Sequence, residues 1–189
     1  FFQSHLYRGN RSTKVSAEHF DAFTSYNYPS LAQAGIDIEY KRHLIMPAPQ
    51  GDLLVRKQFD TNVAVLKLFP GIQPSVVRQM VQTPGLKGLI IETFGSGNAP
   101  TEEWFIDALK AGIDRGLIIL DVTQCKAGAV KLRQYAASCD LDRIGVLSGH
   151  DITIEAAVTK MMFLLGIHGD NLALVRQRLE LSLRGEISK

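Results

Sequence analysis

The sequence predicts an α/β fold: a parallel sheet with flanking helices, preceded by the end of a larger N-terminal α/β domain. Three observations carry this. From residue 61, apolar runs of strand length alternate with stretches of helical periodicity. The connections between them are short, which implies parallel strands joined by right-handed crossovers. Residues 36–60, "IDIEYKRHLIMPAPQGDLLVRKQFD", mix charge with "PAPQG" and lack helical periodicity, so they divide the chain into two parts. The expected division is residues 1–35 as the end of the N-terminal domain, 36–60 as a linker with one or two short strands, and 61–189 as the C-terminal α/β domain.

In chain order, "NVAVLKLFPG" is a β-branched and aromatic run stopped by Pro70-Gly71, and it reads as a buried strand. "QPSVVRQMVQ" places Val77, Met80 and Val81 on one helical face. "GLIIETFG" is a second buried strand. "PTEEWFIDALKAGIDRG" reads as a helix with Pro100 at its first position, Glu102 and Glu103 at its positive end, and Gly116 as its stop. Its core face is Phe105, Ala108, Leu109 and Gly112. "LIILDVTQC" is a third buried strand, "LRQYAAS" a short helix, and "RIGVLS" a fourth short strand. "DITIEAAVTKMMFLLG" carries a stripe of Ile154, Val158, Met161, Met162 and Leu165, ending at Gly166. "DNLALVRQRLELSLRG" carries Leu172, Val175, Leu179 and Leu183. The paired methionines are packing residues that fill gaps in a core.

Composition narrows the function classes. The 189 residues suit one large domain or one domain with part of another, and 46% hydrophobic content is ample for a packed core. A formal charge of +2 makes no electrostatic case for nucleic acid or an anionic membrane. No apolar run approaches the ~18 residues of a membrane span. Two cysteines, Cys125 and Cys139, form no disulfide framework and favour a reducing compartment. The chain opens on Phe1 and Phe2, which look like the inside of a strand, with neither Met nor signal-peptide layout; it reads as the back part of a longer protein.

Several stretches carry candidate chemistry. In "GLIIETFGSGNAP" a buried strand breaks into Gly95, Gly97, Asn98 and Pro100. The single Gly95-x-Gly97 pair is too little for a dinucleotide fingerprint. Ligands of open parallel sheets sit beyond the carboxyl ends of strands, where Asn98 falls, and its amide can both donate and accept. The alternative is that Asn98 caps the next helix. In "YRGNRSTK", Lys14 comes after two hydroxyl residues and a predicted strand, although spacing alone favours a solvated basic loop around Arg8, Arg11 and Lys14. In "SGHD", Ser148, His150 and Asp151 are contiguous and lack the spacing of a hydrolase triad; Asp151 reads as a helix cap. The histidines are scattered with no spacing for a metal. Cys125 either packs inside or borders a pocket.

"LYRGNRSTK", "FDAFTS", "IIETFGSGNAP", "DVTQCKAGAV" and "GVLSGHDITIEAAVTKMMFLLG" resemble, in order, the back half of the cytoplasmic type I L-asparaginases, from Leu6 to about Glu186. The resemblance implies hydrolysis of L-asparagine to L-aspartate and ammonia without metal or organic cofactor, in the cytoplasm. It implies a threonine nucleophile and a threonine–aspartate pair in the preceding domain, with Lys14 as the lysine of the triad. Were a lysine to act as a resting neutral base, its pKa of ~10.4 would have to fall to about neutrality, ~4 kcal/mol against the pull of an adjacent aspartate. A charged lysine that orients the pair and passes a proton in concert is the favoured role. The family's glycine loop crosses a subunit interface, so Asn98 is expected to help bind the substrate's α-amino end in a neighbouring subunit of a homo-oligomer, a dimer or tetramer. Some type I enzymes are activated by asparagine at a second site, lined by positions matching Thr13 and Cys125. Where those relatives carry arginine this chain has Glu92, which implies weak or absent activation. Two rivals stand beside this reading: the asparaginase-like subunit of a tRNA-dependent amidotransferase, and a non-catalytic amino-acid-binding module.

Overall fold

The computed structural model describes residues 1–132 and 136–188. Two small antiparallel sheets come first along the chain. β1 (His5–Leu6) begins one of them, and a hairpin of β2 (Thr13–Lys14) and β3 (Phe23–Thr24) forms the other. β4 (Ala32–Ala34) pairs with β1, and β5 (Ile38–Tyr40) pairs with β4. Phe2 stacks edge-on against Phe23 at 5.0 Å between ring centres. β5 is a short strand of the kind expected within the 36–60 connector, and it pairs with the strand before it. From Ile45 to Asn62 the chain forms no helix or strand.

The centre of the molecule is a four-stranded, all-parallel sheet. Its strands are β6 (Val63–Lys67), β7 (Gly88–Thr93), β8 (Ile118–Thr123) and β9 (Leu147–Ser148), neighbours in that order. Register is set residue by residue, Gly88 opposite Ile118 through Thr93 opposite Thr123. The two central strands are buried on both faces because helices cover both, as parallel sheets require.

Alternation along the strands sorts their side chains into two cores. Leu89, Ile91 and Ile119 face one layer, where α1 (Pro74–Val81), α2 (Glu103–Asp114) and α3 (Ala136–Ile144) bring Val77, Val81, Phe105, Leu109 and Leu141. Ile90, Ile118, Leu120 and Val122 face the other, against Met161, Leu164, Val175 and Leu179 of α4 (Ile154–His168) and α5 (Leu172–Leu179). Each such aliphatic side chain contributes roughly 1.5–3 kcal/mol by leaving water.

Several expected boundaries move, each for a physical reason. β6 is an edge strand with Val65 38% exposed, since only β7 flanks it. Pro100 precedes α2 rather than opening it, and Glu102 occupies the cap position with no side-chain capping bond. Part of the "LRQYAAS" helix falls on residues outside those described; the described helix runs on to Ile144, which leaves only Leu147 and Ser148 for the fourth strand. Leu183 lies past the end of α5, and Leu172 at its start is exposed.

α4 passes through Gly166 and ends at His168. Gly166 is therefore no stop signal; the connector crosses the helix there. A Cβ at this position would stand 2.6 Å from the Gln58 carbonyl oxygen and 2.9 Å from the Phe59 Cα. Both are backbone atoms with little freedom to yield. Alanine in a helix otherwise gains ~1 kcal/mol over glycine, but forced separation of packed backbone costs about 1–3 kcal/mol. We expect Gly166→Ala to lower the urea midpoint despite its better helix propensity; an unchanged or higher midpoint would mean that the connector is not seated on α4.

Candidate functional site

The parallel sheet delivers β7 and β8 side by side to one edge, and both strands end there in polar structure. β7 leaves into a tight turn from Phe94 to Asn98: the Phe94 amide donates to the Asn98 carbonyl at 2.9 Å and the Asn98 amide donates back at 2.8 Å. Gly97 sits at φ +116°, a conformation that disfavours side chains. The turn is held from outside itself. The Thr123 hydroxyl donates to the Gly95 carbonyl, and the Lys131 amide donates to the Ser96 carbonyl at 2.8 Å. Asn98 is exposed, and its side-chain amide has no hydrogen-bond partner among the described residues. It does not cap α2, whose cap position is Glu102. The capping alternative is thereby excluded.

Beyond β8, Gln124 ties the neighbouring strand ends together, its Nε2 donating to the carbonyls of Leu68 at 2.7 Å and Glu92 at 2.8 Å. Cys125 is exposed, so it is no packing residue; its amide donates to the Thr123 hydroxyl. Glu92 is half-buried, and its side chain points to the α4–α5 face because Thr93, its neighbour, points to the other. Gly128 exchanges two hydrogen bonds with the Asn27 side chain, at 2.9 and 3.0 Å, which attaches this loop to the segment after the β2–β3 hairpin.

The hairpin is fastened by charge. Arg11 is 2% exposed, so the stretch "YRGNRSTK" is not a solvated basic loop. Its guanidinium donates to both Asp151 oxygens at 3.1 and 2.6 Å, to the Glu186 carbonyl at 2.6 Å, to the Asn27 carbonyl and to the Ser188 hydroxyl. Arg8 donates to Tyr28, Leu44 and Gly185, with its guanidinium 4.1 Å from the Tyr28 ring centre. Asp151 is consequently not a helix cap; Thr153 caps α4, its side chain accepting from the Ala156 amide. Burial alone would raise the Asp151 carboxyl, but hydrogen bonds from Arg11 and Ser188 outweigh it and bring its pKa down to about 2. Ser148 donates its hydroxyl to the Val130 carbonyl and accepts from the His150 amide, so "SGHD" makes no triad.

Against this fixed frame, Thr13 donates to Glu155 on the first turn of α4. Lys14, next along β2, is exposed, and its ammonium meets no partner among the described residues. Among those residues no bond joins Lys14 to Asn98, Glu92 or Cys125. Two buried ionisable features are missed by sequence reasoning. Lys160 on α4 directs its three donors to the Leu179 and Leu181 carbonyls and the Glu186 carboxylate. Asp121 on β8 is fully buried beneath the turn, accepting from the Thr93 hydroxyl at 2.7 Å. The signal for both is a single charge inside an apolar run, "AAVTKMMFLL" and "LIILDVT".

Similarity to known proteins decides the family. The family model "Glutaminase/Asparaginase C-terminal domain" matches residues 62–177, and "Asparaginase, N-terminal" matches residues 1–46. The chain belongs to the glutaminase/asparaginase family. Over 189 residues it is 42% identical to the 60 kDa lysophospholipase of Mus musculus, covering 100% of this chain and 33% of that protein. Over 190 aligned residues it is 40% identical to L-asparaginase 1 of Escherichia coli strain K12, covering 100% of this chain and 55% of that one. The crystal structure of L-asparaginase I from Vibrio cholerae superposes with a TM-score of 0.92 at 38% identity, covering 100% of this chain and 56% of that chain. The chain thus spans between a third and just over half of these relatives. No helix among the described residues is long and apolar enough to cross a membrane.

The Arg11–Asp151 pair generates a pH-linked stability. The folded-state value of about 2 lies below the ordinary 3.8, so the contribution, about 2 kcal/mol, is complete above roughly pH 4–5 and is lost as pH falls toward 2. Asp151→Asn leaves a buried guanidinium without its counter-charge and should cost on the order of 3 kcal/mol at pH 7. Denaturation midpoints taken from pH 6 down to 2.5 check both statements; wild-type and Asp151→Asn curves that stay parallel would show that the pair carries no linkage.

Proposed function

We propose that this chain is the C-terminal portion of an enzyme that hydrolyses L-asparagine to L-aspartate and ammonia. In this reading residues 1–35 close the N-terminal domain, 36–60 link it to the domain from 61 onward, and the nucleophilic threonine comes from the preceding domain. The threonine oxygen attacks the side-chain carboxamide carbon, the C–N bond breaks, and the nitrogen departs as ammonia after taking a proton. Water then attacks the ester, releases aspartate and restores the hydroxyl. Lys14 orients the threonine–aspartate pair and carries the proton in concert. Asn98 binds the α-amino end of the substrate in a neighbouring subunit, which makes the enzyme a homo-oligomer. No metal or organic cofactor takes part, and the enzyme works in the cytoplasm.

One observation carries this reading. Arg8, Arg11, Thr13, Gln124 and Asp151 are committed to partners, whereas the side chains of Lys14 and Asn98, the positions matched to the family's catalytic lysine and substrate-binding asparagine, make no hydrogen bond among the described residues. Lys14 lies on β2, which the Arg11 and Thr13 bonds tie to the segment leading into α4, and Asn98 closes the hydrogen-bonded Phe94–Asn98 turn, so both polar heads are presented from anchored backbone. A polar group kept open on a fixed backbone is pre-organised for a ligand.

The test uses the full-length enzyme. Lys14→Met should cut kcat by roughly 10²–10⁴-fold, while Asn98→Ala should raise KM with a smaller effect on kcat. Near-normal turnover of Lys14→Met rejects the role of the lysine. Parallel assays with L-asparagine and a lysophospholipid separate this reading from the activity in the mouse relative's name.

Glu92 would repel an effector's carboxylate where the regulated relatives place arginine. Rate against asparagine concentration should therefore be hyperbolic. A clearly sigmoidal curve in wild type would contradict this part of the proposal.

A further inference from the structure

Asp121 stands out among the polar groups that the proposed chemistry does not use. It lies on β8 with Thr93 as its single side-chain donor among the described residues, at 2.7 Å to Oδ1. Its Oδ2 is buried and has no partner. That oxygen faces Gly97, where a Cβ would stand 3.3 Å away, beside Val130 and Leu132. Gly97 immediately precedes Asn98 in the turn.

We propose that the Asp121 carboxyl is the positioning residue of the Phe94–Asn98 turn, holding Asn98 in its substrate-binding place while the carboxyl is neutral. This rests on the reading that Asn98 contacts substrate. A neutral acid leaves one oxygen without a partner, a modest cost; a carboxylate there is a buried charge with one donor. The easiest relief is to lift the covering formed by Gly97, Val130 and Leu132 and admit water, and that displaces Asn98. Burial pushes the Asp121 pKa up to about 7, with the Thr93 hydrogen bond opposing.

Among the described residues, the charged and titratable groups around it do not offset this. Glu92 on β7 points to the opposite face of the sheet. Cys125 beyond β8, Lys131 beside Val130 and His150 after β9 are exposed. Asp142 of α3 and Glu180 after α5 line the cavity of about 730 Å³ bounded by Val130, Leu132 and Ser148. Both are acids, so neither supplies a counter-charge to Asp121.

The experiment measures KM for L-asparagine from pH 5.5 to 8.5 in the full-length enzyme. Wild-type KM should rise several-fold across neutrality, while Asp121→Asn, which keeps the shape and cannot ionise, should stay within about twofold once divided by the changes common to both enzymes. Titration of the substrate's own amine is shared and cancels in the ratio. Thr93→Val removes the one donor that favours the carboxylate, so the midpoint of its KM profile should move to higher pH. A second measurement needs no activity. The folded wild type holds a proton between about pH 4 and 7 that the unfolded chain has released, so its stability falls across that window. The thermal midpoint of Asp121→Asn relative to wild type should climb accordingly. KM profiles of wild type and Asp121→Asn that run parallel, or a Thr93→Val midpoint that does not move, overturn the inference. If instead Asn98→Ala leaves KM unchanged, the reading of Asn98 itself falls, and this inference with it.

Discussion

The guanidinium of Arg11 is out of water, and the placing of the hairpin that carries Lys14 depends on how it is satisfied. Four of its five bonds reach residues far along the chain: Asp151 after β9, and Glu186 and Ser188 near the C-terminus. A buried charge of this kind does little for net stability against an apolar substitute. What it supplies is a fixed geometry, because a planar fork meeting a carboxylate at two points resists both sliding and rotation. The β2–β3 hairpin that presents Lys14 is too short to hold its own orientation, since two-residue strands have almost no cross-strand packing. Arg11, just upstream of that hairpin, joins it to the segment leading into α4, and Thr13 adds a second tie to Glu155.

The carboxyl edge of the sheet is held in a different way. Crossovers in a parallel sheet leave the ends of adjacent strands together with no hairpin between them, so loops must fill the edge and backbone groups there need partners. Gln124 and Thr123 provide them, satisfying the Leu68, Glu92 and Gly95 carbonyls. With the backbone satisfied by those side chains, Asn98 is spared. Polar residues are thus divided between those that hold the edge and those that face outward from it, and the division is set by hydrogen-bond arithmetic rather than residue type.

Much of this is legible in the sequence where one signal acts alone. The stretches "GLIIETFG" and "LIILDVTQC" read as buried strands and hold β7 and β8, because nothing competes with burial there. The i, i+3, i+4 face of α2 is legible residue by residue. The misreadings share a cause: distant partners decide them. Asp151 carries a cap residue's chemistry three residues before a helix, yet Arg11, 140 positions away, claims it. Gly166 looks like a stop, and becomes a crossing point only because Gln58 and Phe59 lie against it. Lys160 and Asp121 sit inside apolar patterns, where a single charge reads as noise until its neighbours are known. Local pattern defines elements well; it says little about which polar groups already have partners.

Two aspartates show how far such neighbours matter. Asp151 and Asp121 have the same side chain and the same intrinsic acidity, and both are withdrawn from water. Two guanidinium bonds and the Ser188 amide hold one carboxyl ionised far into the acid range. One threonine hydroxyl, with no cation paired to the carboxyl among the described residues, leaves the other with a pKa of about 7. The difference suits their positions. A clamp between distant segments must keep its charge whatever the pH of the cell, and a guanidinium guarantees that. The Asp121 Oδ2 faces the Gly97 backbone beside methyl groups of Val130 and Leu132, and a cation there would have to occupy the space Gly97 is small enough to leave. The absence of a side chain at Gly97 brings the turn down onto Asp121, and that same closeness leaves its Oδ2 without a partner among the described residues.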